Sequence, residues 1–173
     1  MNDISNRDKG LIDHSSNKQF ETLLKICLII GIIVISGFIF YYIFTPEPGY
    51  VTWGILNENQ EAGNYPTNTT VNNPIFFYIT VDNHLDKSFS FQIQVKKGDN
   101  TTLRNPSSGS DGTLNYTIGN FTLENEQSWI SSQLNVTFPN IGDNQLLIAE
   151  LWEIKDTEIE YFDILWWILN ITS

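Results

Sequence analysis

Six Asn-x-Thr tripeptides are the most frequent chemistry-bearing pattern in this chain: Asn68-Thr69-Thr70, Asn100-Thr101-Thr102, Asn115-Tyr116-Thr117, Asn120-Phe121-Thr122, Asn135-Val136-Thr137 and Asn170-Ile171-Thr172. Each is an acceptor pattern for N-linked glycan, which marks surface positions in an exported region. Other chemistry is sparse. The stretch after residue 46 holds one histidine, His84, and no cysteine, and it contains no Gly-x-Ser-x-Gly elbow, P-loop or dinucleotide fingerprint. A nucleophile, histidine and acid triad is open only to His84. That residue sits in Asp82-Asn83-His84-Leu85-Asp86-Lys87 and reads as a solvated turn residue between two strands. No catalytic or cofactor-binding residue is expected, and the chain is expected not to be an enzyme.

The carboxylates form a second group. Glu150, Glu153, Asp156, Glu158, Glu160 and Asp163 crowd the last hairpin, and hard cations such as calcium take carboxylate oxygens. No EF-hand spacing is present. Asp156, Glu158 and Glu160 share one face of an extended segment, where they repel unless solvated or bound to metal. A solvated acidic face is the expectation, with no metal ligand assigned, and a divalent-cation-dependent adhesion module is the alternative. With 20 acidic against 9 basic residues and a net charge of −11, nucleic acid is excluded as a partner. The single cysteine excludes an intrachain disulfide and a cysteine-built zinc site.

These residues need elements to hold them. Residues 26–44 carry no charge, and as a helix they rise roughly 28 Å, about one hydrocarbon core. The run is longer than a cleavable signal's apolar region and ends in aromatic residues, so it predicts an uncleaved anchor. Lys18 and Lys25 precede it and Glu47 is the first charge after it, which keeps the N-terminus inside; Tyr41 and Tyr42 suit the aromatic belt at the exit. The charged residues before residue 45 sum to zero, so the whole −11 lies beyond the anchor. The organisation expected is a disordered cytoplasmic tail (1–22), a transmembrane helix (23–45), a Pro-Glu-Pro-Gly linker (46–49) and an extracellular domain (50–173).

Beyond the linker the apolar period becomes two. In residues 88–95, Phe89, Phe91, Ile93 and Val95 alternate with Ser88, Ser90, Gln92 and Gln94, as in a half-buried strand. Similar stretches cover 50–57, 75–83, 114–123, 127–138, 145–154 and 158–171, and residues 105–112 read as one exposed loop. This pattern predicts an all-β ectodomain, an antiparallel immunoglobulin- or fibronectin-III-like sandwich of about seven strands. Without a disulfide the core rests on aromatic and β-branched burial, with Trp53, Trp129 and Trp152 as expected anchors. The period of two places Asn115, Asn135 and Asn170 on the solvent face. Around Trp166-Trp167 both faces of the strand are apolar. Alternation gives Trp167 to the core and leaves Trp166 for a covering loop or for contact with a partner.

Several short blocks, in order, resemble an archaeal membrane-protein family of unknown function, of the DUF sixteen-sixteen type. They are Tyr50-Val51-Thr52, Gly54, Leu56-Asn57, Ala62-Gly63-Asn64-Tyr65-Pro66-Thr67, Val81 with Asn83-His84-Leu85, Gly98-Asp99, Phe138-Pro139, Asn144 and Glu150-Leu151-Trp152. The likeness implies an archaeal cell-surface location but no activity. Members often carry several membrane helices, whereas one is legible here. The function expected is a single-pass, membrane-anchored surface glycoprotein with a non-catalytic binding or structural module, held by lipid around its helix and meeting a protein or glycan partner outside. An accessory subunit of a membrane enzyme or transporter is the other alternative.

Overall fold

The computed structural model describes residues 5–45, 48–156 and 158–173, so Met1 to Ile4, two residues of the expected linker (Pro46 and Glu47) and Thr157 lie outside the described residues. Two compact units result, divided after Glu47. The first is one helix, α1 (Ser5–Phe44). Its segment Lys18–Phe44, 27 residues, is long and apolar enough to cross a membrane. Large apolar side chains from Phe20 to Phe44 are exposed all around it, which suits a lipid solvent and not a soluble core. The helix starts earlier than expected, running through the polar residues 5–22 assigned to a disordered tail. Extending an existing helix costs far less than nucleating one, so the apolar segment carries the polar one with it.

The second unit, Pro48–Ser173, is all β. Its strands are β1 (Tyr50–Leu56), β2 (Asn68–Thr70), β3 (Ile75–His84), β4 (Phe89–Gly98), β5 (Arg104–Asn105), β6 (Gly109–Ser110), β7 (Thr113–Leu123), β8 (Gln127–Ile130), β9 (Leu134–Val136), β10 (Gly142–Lys155) and β11 (Glu158–Thr172). One sheet runs β1-β3-β8, with β9 also paired to β3; the other runs β2-β11-β10-β4-β7. This is an immunoglobulin-like sandwich, in which the chain crosses from the first sheet (β1) to the second (β2, parallel to β11).

Period-two burial builds the core as the sequence predicts. Phe77, Ile79 and Val81 of β3 pack within one cluster with Phe91, Ile93 and Val95 of β4, Leu147, Ala149 and Leu151 of β10, and Trp167, Leu169 and Ile171 of β11. Trp53 and Trp129 pack against this cluster. Trp152, expected beside them, stands elsewhere: it lies edge-on to Tyr161 with ring centres 5.6 Å apart and donates its indole N–H to Glu150. The stretch expected as one strand over 127–138 is two, β8 and β9, joined across a break by Ser131. The Ser131 N–H donates to the Ile79 carbonyl at 2.9 Å and its hydroxyl accepts from the Ile79 N–H at 3.0 Å, so the backbone of β3 stays satisfied.

Two buried asparagines shape the turns. Asn83 donates to the Lys87 and Leu123 carbonyls and accepts from the Leu85 N–H, closing the turn between β3 and β4. Asn57 accepts from the N–H groups of Asn59 and Glu61 and donates to the Gly63 carbonyl, folding the chain after β1 back on itself.

Candidate functional site

In an antiparallel ladder alternate residues turn their backbone groups outward. Ile79 spends its N–H and carbonyl on Ser131, so its partner Ile55 in β1 faces away from β3, and the Tyr65 hydroxyl donates to the Ile55 carbonyl at 2.6 Å. The same period turns the backbone groups of Trp53 outward. On β11 the Asn170 N–H leaves the strand for the Thr67 carbonyl, and the period continues outward at Ile168 and Trp166. β2 covers β11 only from Asn170 to Thr172. The edges of β1 and of the upper part of β11 are therefore both open.

A cleft of about 370 Å³ lies between these edges. Trp53, Tyr65, Trp166 and Trp167 wall it, Ala62 borders it, and Asp82 with Thr52 and Thr80 supplies polar groups on one side. Gly54 adds no side chain, which keeps the cleft open over β1. Two hydrogen bonds brace it: Trp53 Nε1 donates to Asp163 Oδ2 at 2.8 Å, and Trp167 Nε1 donates to the Pro66 carbonyl at 3.1 Å. Tyr65 stacks on Trp167 at 5.0 Å. Trp167 is 6% exposed and Trp166 44%, with the Arg104 guanidinium 5.0 Å from the Trp166 ring centre. An apolar, aromatic cleft with a few fixed polar groups and two free strand edges can take either a flat ligand or an extended chain.

Above Trp166 the expected loop, residues 105–112, keeps Asn105–Ser108 and Asp111 exposed but buries Gly109. Residues 99–112 fold back over the outer face of the second sheet, where β5 and β6 pair as a short hairpin. Their anchor is Glu150, expected in a solvated acidic group but 0% exposed. Its Oε1 accepts from the Ser110 N–H at 2.6 Å and the Ser110 hydroxyl at 2.7 Å; its Oε2 faces Lys96 Nζ at 2.8 Å and accepts from Trp152 Nε1 at 3.2 Å. Lys96 also donates to the Ser110 carbonyl. Gly109 is required beneath this loop, since its φ of +87° is left-handed and a Cβ there would meet Glu150 Oε1 at 2.9 Å. Leu146 and Ile148, on the same face, join Ile164 and Tyr161 in a second small core. This explains why β10 is buried on both faces from Leu146 to Leu151.

Three of the other carboxylates are also engaged, while Asp156 and Glu158 are exposed. Lys155 bridges Glu153 and Glu160, and Asp163 holds Trp53. Among the described residues no group of three or more metal-ligating side chains converges. His84 is the last residue of β3, half-exposed and not at a loop tip; its ring lies 4.9 Å from that of Tyr50 and its Nδ1 is 3.1 Å from Glu126. Asn68, Asn100, Asn115, Asn120 and Asn135 are exposed, whereas Asn170 is half-buried.

Two tyrosines carry displaced acidities. Burial pushes the Tyr161 phenol up to about 12, helped by the charges of Asp163 and Glu150, and its buried hydroxyl has no hydrogen-bond partner among the described residues. Burial likewise raises Tyr116 to about 12. An unfolded tyrosine loses its proton near pH 10 and these two do so near 12. Their contribution to stability is therefore complete below pH 10 and lost as pH rises to 12. Tyrosinate absorbance should show two late-titrating groups, with unfolding easier across that window. Titration of every tyrosine at the ordinary value would refute the partial burial of Tyr116 and the buried hydroxyl of Tyr161.

No family model matches the chain, and no curated protein sequence matches it. Among solved structures it is similar to the CARDB domain of a Pyrococcus furiosus protein, solved in complex with di-metal ions, at 13% identity and TM-score 0.46 over 75% of this chain and 93% of that one. It is similar to a β-glucosidase from Listeria innocua at 11% identity and TM-score 0.45, over 75% of this chain and 17% of the enzyme. The C-terminal domain of Wzt gives 15% identity and TM-score 0.44, over 75% of this chain and 80% of that one.

Proposed function

We propose that this chain is a single-pass, membrane-anchored surface glycoprotein of archaeal type, N-terminus inside, whose immunoglobulin-like unit is a non-catalytic binding module. The aromatic cleft between β1 and β11 is its recognition surface. The observation that carries this reading is the coincidence of an aromatic cavity with two unpaired strand edges, since such edges are normally paired, covered or charged. The apolar helix supports the anchor, and the placement of every acceptor tripeptide after it supports the orientation.

The test uses the full chain in its own membrane. A photoactivatable residue in place of Ala62, at the cleft, should give a discrete cross-linked product, while the same residue in place of Ser132, between β8 and β9, should give none. Equal yields at the two positions, or none at either, would remove the cleft as the recognition surface. External protease should remove the β unit and leave a tag at Met1 intact; digestion of that tag would reverse the orientation.

A further inference from the structure

We propose, on the basis of the surface-glycoprotein reading, that the six acceptor tripeptides are not equivalent. Asn68, Asn100, Asn115, Asn120 and Asn135 receive glycan and Asn170 does not, so the sugars sit on β2, β7, β9 and the turn after β4, with none on β1 or on the part of β11 that walls the cleft.

The sandwich has four lateral edges, set by its strand order: β1 and the β8/β9 line in one sheet, β2 and β7 in the other. Asn68 lies on β2, Asn115 and Asn120 on β7, and Asn135 on β9, each on a strand paired along one side only. Asn100 lies in the turn that follows β4. Space accompanies these positions. Asn68 borders a polar hollow of about 280 Å³ that it shares with Asn59, Asn64 and Asn73. Asn115 and Asn135 border one of about 350 Å³ with Gln133 and Thr137. No acceptor lies on β1, or on β11 before Asn170, so the edges that flank the cleft carry none.

Asn170 differs in every respect. It sits on β11 between β10 and β2: its backbone N–H donates to the Thr67 carbonyl on the β2 side, and on the β10 side it falls at the break in register between Ile171 and Leu169. Its Oδ1 accepts from the Asn144 N–H at 3.0 Å, at the irregularity where β10 holds extra residues against β11 and Asn144 has a φ of +53°. That contact fixes the carboxamide's orientation and turns Nδ2 towards Asn68 Oδ1, 3.4 Å away. Glycosyl transfer requires Nδ2 to bond to C1 of the sugar and lose a proton, while the lipid phosphate of the lipid-linked donor leaves with the bonding electrons. An Nδ2 aimed at a neighbouring strand, in a tripeptide that cannot leave the ladder without breaking it on both sides, is not presented for that attack. Asn170 instead satisfies the backbone of the bulge.

Glycopeptide mass spectrometry of the full chain from glycosylating cells should find sugar at the five edge and turn sites and an unmodified Asn170. In Asn68→Gln one glycan is lost and none appears at Asn170. A short peptide spanning residues 165–173, given to membranes that hold the lipid-linked donor, should be modified at Asn170, because the ladder is absent. Glycan on Asn170 in the folded chain or in Asn68→Gln, a bare site among the other five, or refusal of the peptide would overturn the proposal. Absence of sugar at all six sites would instead defeat the glycoprotein reading itself.

Discussion

Replacing Lys96 by Met is expected to destabilise the β unit by about 3–5 kcal/mol, because it leaves the Glu150 carboxylate buried without its cation. The Met stem keeps most of the lysine's packing, so the loss isolates the charge. Tm should fall by on the order of 10 °C or more, read by tryptophan fluorescence. Glu150→Gln keeps an acceptor for Ser110 and leaves Lys96, whose side chain is 12% exposed, with a short route to water, so it should cost less. Amide exchange should locate the damage. In both variants the Ser110 N–H, bound to Glu150 in the parent, loses protection before the Phe91 and Ile93 amides of β4 do. A change below about 1 kcal/mol for Lys96→Met would mean that water reaches Glu150 and that the loop over residues 99–112 is not held by it.

This latch was only half legible in the sequence. Glu150 interrupts the apolar run Leu146-Leu147-Ile148-Ala149-Glu150-Leu151-Trp152, and a run that is apolar on both faces announces a covered strand. The cover, however, is a polar stretch rich in Gly, Ser and Asn, with no periodicity to betray it. What makes it a cover is a set of contacts between residues 40 apart, Ser110 and Glu150, which no local pattern contains. Counting Glu150 with its acidic neighbours hid the distinction between a carboxylate that must be paired and carboxylates that need only water.

The strands themselves were legible because the core is one-sided. Phe89, Phe91, Ile93 and Val95 are each buried, with Ser90, Gln92 and Gln94 between them half-exposed, and a slip of one residue would reverse every side chain. β2 was not legible, since three residues of Asn and Thr carry no apolar signal. Its place is set by parallel pairing to the end of β11, after the chain has been turned by Asn57 and pinned by Tyr65. The cleft shared this fate. Trp166 was marked as a surface residue by alternation alone, but Tyr65, Ala62 and the open edge of β1 come beside it only through that crossing between sheets.

Trp167→Ala and Trp166→Ala, adjacent on one strand, should separate core from cleft. Trp167 stacks on Tyr65, meets Phe77 edge-on at 6.3 Å and donates to the Pro66 carbonyl, so its loss removes packing on both sheets and the tie that holds the crossing segment. About 3–5 kcal/mol is expected, again as a lowered Tm. Trp166, on the outer face, touches Arg104 through its ring and borders the cleft; its removal should shift the melt by no more than about 1 kcal/mol. The cross-link from position 62 should nevertheless weaken in Trp166→Ala, since an aromatic wall of the cleft is gone while the fold remains. Equal and large losses of stability from both variants would make Trp166 part of the packing beneath Arg104. An unchanged cross-link in a normally stable Trp166→Ala would take Trp166 out of the recognition surface and leave only the strand edges to account for binding.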